Sequence, residues 1–263
     1  MEQALPVVLS ASRRTDLVGC YPEYLIEKLT AYPPEKVHTI VIWTKNPCNL
    51  IYHQTLRDVL KTYSQIYIHL TITGLGGTPL EPRIPQWQEV AAMLPQLVKL
   101  VGRPERISWR FDPIITADCA DEVFANFQIF PVIAKHIAQH GITVCRTSWA
   151  SPYKKVLQRM KRKGFALKTS SHEEQLLQAR QMEEILHCLD MELCYCSMEG
   201  FSRSRCIDGE LLSKLHPEGI LCSTKKAKGQ RTLCGCTESI DIGWYTLKCG
   251  NGCLYCYAEP QHS

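Results

Sequence analysis

Short, continuously apolar runs recur through the first three-quarters of the chain, separated by longer stretches with helical periodicity. The runs at 41–43 and 67–70 are apolar at successive positions, which is typical of strands covered on both faces. The β-rich runs lie at 7–12, 38–44, 66–73, 106–112, 142–148 and 192–196. This pattern predicts six strands.

Helical stretches lie between these predicted strands. One begins at Pro22, and Ser171 with Glu174 forms a capping box for another that reaches residue 189. Three more are predicted at 50–62, at 87–100 with a bend at Pro95, and at 122–139 with an interruption at Pro131 and a cap at Gly141. Because strands and helices alternate, the sequence predicts an α/β fold with a mainly parallel sheet.

The alternation stops after residue 196. The stretch 200–248 has little periodicity, and a loop-rich segment of that length requires something other than a hydrophobic core to hold it. Its cysteines are the obvious candidates for holding this segment in place. We therefore divide the chain into a β/α part, 1–198, and a cysteine-rich, loop-dominated C-terminal extension, 199–263.

Polar or charged residues follow nearly every predicted strand. They are Arg13, Arg14, Asp16, Lys45, Asn46, Thr71, Thr73, Arg110, Asp112, Arg146, Thr147, Ser148 and Glu199. In parallel α/β folds, ligands bind at the carboxyl ends of the strands, where the following loops meet. Each residue alone fits a solvated loop or a helix cap equally well, but agreement at six strand ends indicates a ligand site.

Composition narrows the class of protein. The 263 residues carry a net charge of +4, which by itself is too small to indicate nucleic-acid binding. The start lacks the features of a signal peptide, and no apolar run approaches the roughly 20 residues of a membrane span. Fourteen cysteines then favour a reducing cytoplasm, and metal ligation rather than disulfides. We expect a cytoplasmic protein with no membrane partner.

Three cysteines near the C-terminus carry the most specific signal. Cys249, Cys253 and Cys256 have C-x3-C-x2-C spacing, with two glycines in the first interval that let the backbone turn close to sulfur. Zinc sites usually use paired C-x2-C hooks that supply four ligands. Three thiolates on a four-iron cluster leave one iron open to a substrate or cofactor. A zinc-binding or unligated loop is the alternative.

This loop resembles the cluster loop of the radical S-adenosylmethionine (radical SAM) superfamily, and the run 251–258 is similar to its spore photoproduct lyase-like branch. The resemblance implies a [4Fe–4S] cluster on the three cysteines, with S-adenosylmethionine at the free iron. It further implies reductive formation of a 5'-deoxyadenosyl radical, an electron donor such as flavodoxin or ferredoxin, and Tyr255 packed near the adenine. Typical members carry the loop after their first strand, whereas here it ends the chain.

The superfamily resemblance also implies a more specific fold. About six β/α units match its parallel (β/α)6-type partial TIM barrel, and a flat doubly wound sheet is the alternative. A second resemblance rests on the runs 10–16, 43–47 and 110–113 together with the C-terminal cysteines. These look like a bacterial family known only as a domain of unknown function, over nearly the whole chain.

Two further features are candidates for cofactor contacts. The turn with Gly74, Gly76 and Gly77 follows a predicted strand, and its backbone could approach S-adenosylmethionine as a glycine-rich turn does in the superfamily. An ordinary tight loop explains it equally well. Arg110 and Asp112 alternate onto one side of their strand and suit either a cofactor or substrate contact or a structural ion pair.

A second set of cysteines lies before the terminal motif. The preferred set is Cys196, Cys206, Cys234 and Cys236, with Cys194 or Cys222 as substitutes. An auxiliary iron–sulfur cluster or a zinc ion would fold this segment by cross-linking it, and unligated buried thiols are the third reading.

The densest basic run, 154–163, is either a nucleic-acid contact or a solvated helix face.

The leading hypothesis is a radical SAM enzyme acting on an unknown substrate. Its rivals are a non-catalytic zinc- or iron–sulfur-stabilised module that binds nucleic acid, and an electron-transfer protein with sealed clusters.

Overall fold

The structure is a computed structural model that describes residues 5–244, 246–258 and 260. Its strands are β1 (Val7–Ala11), β2 (Val37–Thr44), β3 (Ile66–Thr71), β4 (Ile107–Ile114), β5 (Thr116–Cys119), β6 (Glu122–Ala125), β7 (Val144–Trp149), β8 (Phe165–Lys168), β9 (Glu192–Tyr195) and β10 (Ile240–Asp241). Seven of these form one parallel sheet in the order β10-β1-β2-β3-β4-β7-β9. The parallel sheet and all six predicted strands are confirmed, with ends shifted by at most two residues.

The order of the strands in this sheet follows the chain. From β1 to β9 each strand pairs with the strands that precede and follow it along the chain, once the small hairpin strands are set aside. A doubly wound sheet reverses its strand order at a switch point, and no such reversal occurs among the strands described. The C-terminal segment contributes β10, which pairs with β1 and so joins the same sheet.

The helices are α1 (Leu17–Cys20), α2 (Pro22–Thr30), α3 (Cys48–Tyr52), α4 (Gln54–Lys61), α5 (Trp87–Ala92), α6 (Leu94–Val101), α7 (Phe130–Ala138), α8 (Lys154–Arg162), α9 (His172–His187) and α10 (Gly209–Leu215). Pro22 opens α2, and Ser171 with Glu174 forms the predicted capping box of α9. The apolar sides of α1–α7 and α9 share one hydrophobic cluster with the sheet.

Three predicted helices need correction. The prediction of one helix over 122–139 was wrong at its start, because Glu122–Ala125 is the strand β6, which pairs with β5, and β5 pairs in turn with β8. Pro131 does not interrupt α7 but lies in its first turn, where a missing N–H costs nothing. The stretches 87–100 and 50–62 are each two helices, separated at Met93 and His53.

The two faces of the main sheet differ in chemistry. One face packs against helices around Trp109, Phe111 and Phe130, all fully buried. The alternate residues point to the opposite face, where Val8, Val41 and Tyr67 pack against α10 and the cysteines of the C-terminal segment. This face, which we call the inner face, is therefore covered by α10 and irregular chain rather than by a full layer of helices.

Polar side chains in and beside the strands satisfy carbonyls of the C-terminal segment. His69, in β3, donates through Nε2 to the carbonyl of Cys206 at 2.8 Å. Gln65 and Arg106, which immediately precede β3 and β4, donate to the carbonyls of Leu212 at 2.9 Å and Leu215 at 2.6 Å. These two carbonyls lie in the last turn of α10, where helical N–H donors are missing, so such side chains allow the segment to pack on the sheet.

No helix in the described ranges combines the length and apolar character needed to cross a lipid bilayer.

We predict that Phe130→Ala lowers the free energy of unfolding by about 3–5 kcal/mol, because it removes a buried ring from the core. The ring of Phe130 lies 5.2 Å from that of Trp109 and 5.0 Å from that of Phe111. Urea denaturation followed by circular dichroism measures the change. On the same helix, Val132 is 45% exposed, and Val132→Ala should change stability by less than about 0.5 kcal/mol. Equal losses in both variants would contradict this assignment of the core.

Candidate functional site

The loop with the three C-terminal cysteines is buried at the carboxyl ends of the strands. Cys249 and Cys253 are buried and Cys256 is half-buried. Gly252 has a φ of +71°, a left-handed conformation that lets the chain turn sharply between the cysteines. Three sets of contacts fix this loop.

Asp16 makes the first set of contacts. It lies in the loop after β1 and is only 7% exposed. Its carboxylate accepts hydrogen bonds from the backbone N–H groups of Gly19, Lys45 and Asn46, from the Thr44 hydroxyl and from the Asn251 side-chain amide, at 2.8–3.2 Å. Burial raises the pKa of Asp16, and these donors oppose the rise. One carboxylate thus joins the loops after β1 and β2 to the cysteine loop.

Glu81 makes the second set. It is 1% exposed and accepts hydrogen bonds from Lys45 Nζ and from the Thr73 hydroxyl, both at 2.8 Å, and from the Tyr255 hydroxyl. Burial lowers the pKa of Lys45, but the hydrogen-bonded Glu81 carboxylate, with any negative charge on Cys253, outweighs it, so the net shift is upward. A charged ammonium is therefore held beside the second cysteine of the motif.

Arg159 on α8 makes the third set. Its guanidinium is buried and donates to the carbonyl of Leu254 at 2.8 Å and to the carbonyl of Cys256. Leu254 also donates its backbone N–H to the Leu80 carbonyl at 3.0 Å. The backbone on both sides of Tyr255 is thereby pinned to the body of the protein.

The three thiols lie close enough to influence one another. A hydrogen bond from the Cys20 thiol lowers the pKa of Cys249 to about 7, although burial opposes this. Burial is the main cause that raises the pKa values of Cys253 and Cys256, and the charge of Cys249 adds to both. Among the described residues, no three His, Cys, Asp or Glu side chains surround one point closely enough to hold a single metal ion.

The donor set fits an iron–sulfur cluster better than a lone ion. Each thiolate of a four-iron cluster binds a different iron, so its three protein ligands need not meet at one point. A flexible backbone turn and a buried cation beside the sulfurs suit such a group.

Cys20 was not among the candidate site residues identified from the sequence. It ends α1, and its thiol also donates to Asn251 Oδ1 at 3.4 Å. Its neighbours Gly19 and Tyr21, with Asn46, Arg83 and the 250–251 backbone, line a surface cavity of about 250 Å³. No spacing rule connects Cys20 to the motif, because it lies more than 220 residues away.

The glycine turn is tightly packed within the protein. A Cβ on Gly74 would lie 2.4 Å from Ile129 Cγ2, and one on Gly76 would lie 2.0 Å from the Pro85 carbonyl oxygen. Gly77 has a φ of +79°. Close packing therefore requires glycine at Gly74 and Gly76, and the turn conformation favours it at Gly77.

Arg110 and Asp112 form an ion pair, and the Ser148 hydroxyl donates to the other oxygen of Asp112. Their side chains are 12% and 17% exposed. The guanidinium groups of Arg110 and Arg13 lie 5.2 and 5.5 Å from the centre of the Trp43 ring. Asp112 interacts electrostatically with both Lys45 and Cys196, so the pair lies between the two cysteine sets.

The second cysteine set also comes together. Sγ of Cys206 lies 3.9 Å from Sγ of Cys196. Interaction with the Cys196 and Cys236 thiols lowers the pKa of Cys206, and interaction with the Cys236 thiol lowers the pKa of Cys234 to about 6. The four thiols therefore form a chain of neighbouring pairs. The two substitutes form hydrogen bonds elsewhere: Cys194 to Glu192 at 3.6 Å, and Cys222 to the Gly209 carbonyl at 3.5 Å.

The basic run 154–163 forms α8 and the residue that follows it. Lys154, Lys155 and Arg162 are exposed, whereas Arg159 points inward to the cysteine loop. Tyr153, which precedes the helix, is 46% exposed. The most basic helix of the chain thus borders the candidate site.

A family model described as "Domain of unknown function (DUF1848)" matches residues 8–258. The chain belongs to this family. The match covers every helix, all strands from the second residue of β1 onward, and both cysteine sets, so the second resemblance noted in the sequence is confirmed. The chain has no match among curated proteins.

We predict that Asp16→Asn lowers the free energy of unfolding by about 1–3 kcal/mol. The new side-chain amide N–H would point at the groups that donate to the Asp16 carboxylate, so a buried donor would be left without an acceptor. Urea denaturation measures the loss. Asp121 is exposed, and Asp121→Asn removes the same charge without disturbing a buried network. If the two substitutions cost the same, Asp16 does not hold the loops together.

Proposed function

We propose that this DUF1848 protein is a radical SAM enzyme in which Cys249, Cys253 and Cys256 hold a [4Fe–4S] cluster. One observation carries the proposal. The three thiols lie on a single loop at the carboxyl edge of a parallel sheet, and buried Asp16, Glu81 and Arg159 anchor that loop. This edge is where ligands of parallel α/β folds bind.

The sheet supports the finer fold that such an enzyme needs. Its strands succeed one another in chain order, and most of its helices pack on one face only. Helices on one face and no reversal of strand order are features of β/α barrels, whereas doubly wound sheets carry helices on both faces. We therefore propose a partial barrel whose interior is the face covered by the C-terminal segment.

When bound, the cluster with S-adenosylmethionine supplies one-electron reductive cleavage of a carbon–sulfur bond, which starts hydrogen abstraction from a substrate. The electron comes from an external donor such as flavodoxin or ferredoxin, which we expect in a reducing cytoplasm. The remaining work falls to the protein, which must orient the reactants and exclude water.

The residues around the loop suit that work. Lys45 provides positive charge beside Cys253 and balances the negative charge of thiolates. The depressed pKa of Cys249 makes its thiolate accessible near neutral pH. The Tyr255 hydroxyl donates to Glu81, and Lys45 Nζ lies 5.7 Å from the centre of its ring, so Tyr255 orients the loop beside the position proposed for the adenine.

Arg110 and Asp112 remain candidates for polar ligand contacts. Both are partly exposed, and they face the space between the two cysteine sets. Among the turn glycines, Gly77 has the most room, since a Cβ there would meet Gln86 at 3.5 Å. We propose that cofactor or substrate approaches the protein at these positions.

We predict that Cys253→Ala abolishes formation of 5'-deoxyadenosine from S-adenosylmethionine by anaerobically reconstituted, reduced protein. The variant loses one of three ligands, so its iron and sulfide content should fall as well. Product is measured by liquid chromatography, and circular dichroism confirms folding. The exposed thiol Cys188 provides the control, because Cys188→Ala should retain full turnover. Turnover by the Cys253→Ala variant would reject this ligand assignment.

The position of α8 favours an anionic substrate, and we propose contact with nucleic acid. Exposed lysines and an arginine border the loop that Arg159 anchors, and Tyr153 and Tyr257 are 46% and 47% exposed. Basic groups interleaved with aromatic rings suit single-stranded nucleic acid, where phosphates and bases are bound together.

We predict that Lys154→Ala with Lys155→Ala weakens binding of a labelled single-stranded oligonucleotide and lowers the salt dependence of affinity by about one unit of slope per lost phosphate contact. Fluorescence anisotropy at several salt concentrations measures both. Lys99 and Lys135 are exposed lysines on α6 and α7, and removing both leaves the same net charge but should preserve affinity. Equal weakening in the two double variants would indicate nonspecific attraction and refute the contact.

A further inference from the structure

The four cysteines of the second set are far apart in sequence but adjacent in the structure. Cys196 follows β9, Cys206 lies on the inner face of the sheet, and Cys234 and Cys236 flank Gly235. A Cβ at Gly235 would lie 2.8 Å from the Ser204 carbonyl oxygen, so only glycine allows the two thiols to approach Cys206 this closely. Three separate pieces of chain thus converge through their sulfur atoms.

The spacing of the first pair suits a common metal ion. Zn–S bonds of about 2.3 Å in a tetrahedron place neighbouring sulfurs about 3.8 Å apart. The Sγ atoms of Cys196 and Cys206 are 3.9 Å apart. Among the described residues the four sulfurs do not yet surround one point. A bound ion would draw the side chains of Cys196 and Cys234, at the two ends of the chain of pairs, toward a common centre.

The surroundings of the four sulfurs are strongly electropositive. Arg110 Nη1 lies 3.5 Å from Cys206 Sγ, and Arg231 Nη2 lies 3.6 Å from Cys196 Sγ. The backbone N–H of Ile207 donates to Cys236 Sγ at 3.4 Å. N–H donors directed at sulfur are the outer contacts that metal-bound thiolates require.

Arg146 gives an independent indication of negative charge at this place. It is 5% exposed, and its Nε and Nη1 atoms have no hydrogen-bond partner among the described residues. A guanidinium keeps its charge when buried, and an uncompensated buried charge is strongly unfavourable. Arg110 has the Asp112 carboxylate, but the groups that face Arg146 are the Tyr67 hydroxyl and the Cys206 and Cys194 thiols. Neutral thiols would leave this arginine without a counter-charge.

We infer that Cys196, Cys206, Cys234 and Cys236 form a second metal centre with four thiolate ligands, separate from the centre proposed for the C-terminal cysteines. On binding, the four thiols release their protons to solvent, and four thiolates on one divalent ion give a net charge of −2. That negative charge compensates the positive charge of Arg146 and of Arg110, whose Nη1 faces Cys206 Sγ. With all four positions taken by protein, the centre is structural and fastens the C-terminal segment to the inner face of the sheet.

The test uses the full-length chain in which Cys249, Cys253 and Cys256 are all replaced by alanine, so the proposed catalytic centre is absent. We expect this variant, after purification, to retain about one equivalent of zinc, or iron with inorganic sulfide if the four thiolates hold a cluster. Either result supports the site, and elemental and sulfide analysis distinguishes them. A metal-free triple variant that also fails to bind added Zn²⁺ or Co²⁺ would overturn it.

A matched pair of substitutions in that background assigns the ligands. Cys206→Ser with Cys236→Ser should remove the metal, whereas Cys222→Ser, a buried thiol of the same segment bonded to Gly209, should retain it. If both retain it, the assignment fails. Titration of the metal-depleted triple variant with Co²⁺ alone tests the site without changing any of the four cysteines. Thiolate-to-cobalt absorption should appear, and one equivalent of Zn²⁺ should then abolish it. Loss of S-adenosylmethionine cleavage in the wild type would not affect these results, so the two proposals fail independently.

Discussion

The hydrogen bond between Asp16 and Asn251 connects the two ends of the chain across 235 residues of sequence. A buried carboxylate is stable only when donors surround it, and Asp16 obtains four of its five donors from the loops after β1 and β2. The fifth donor comes from the cysteine loop. The same group that orders the first two strand ends therefore also fixes the start of the cysteine loop, while Glu81 and Arg159 hold the part around Tyr255.

A second constraint is the polar inner face of the sheet. The segment after β9 presents carbonyls that its own backbone does not satisfy, in irregular chain at Cys206 and in the last turn of α10 at Leu212 and Leu215. His69, Gln65 and Arg106 supply donors to them. On the same face, Arg110 and Arg146 are paired on adjacent strands and lie beside Cys206, so this face supplies both the backbone partners of the segment and positive charge next to its cysteines.

Both cysteine sets lie beside buried cations. Lys45 lies beside Cys253, and Arg110 and Arg146 lie beside Cys206. Burial disfavours a thiolate, and a nearby positive charge offsets that penalty. The fourteen free thiols are therefore not equivalent, and those with cationic neighbours are the ones we propose as metal ligands.

The sequence by itself determined the strands, because continuous apolar runs such as 41–43 are local signals of burial. It also determined the cysteine motif and the family resemblance, since both are matters of residue identity and spacing. Helix boundaries near Pro131 and the hairpin strand at Glu122–Ala125 were read wrongly, because pairing with β5 rather than local periodicity decides them. Only the tertiary structure joined Cys20 to Cys249, Glu81 to Tyr255, and Cys206 to both Cys196 and Cys236. These contacts depend on how the C-terminal segment lies across the sheet, and no pattern within a short stretch of sequence records that.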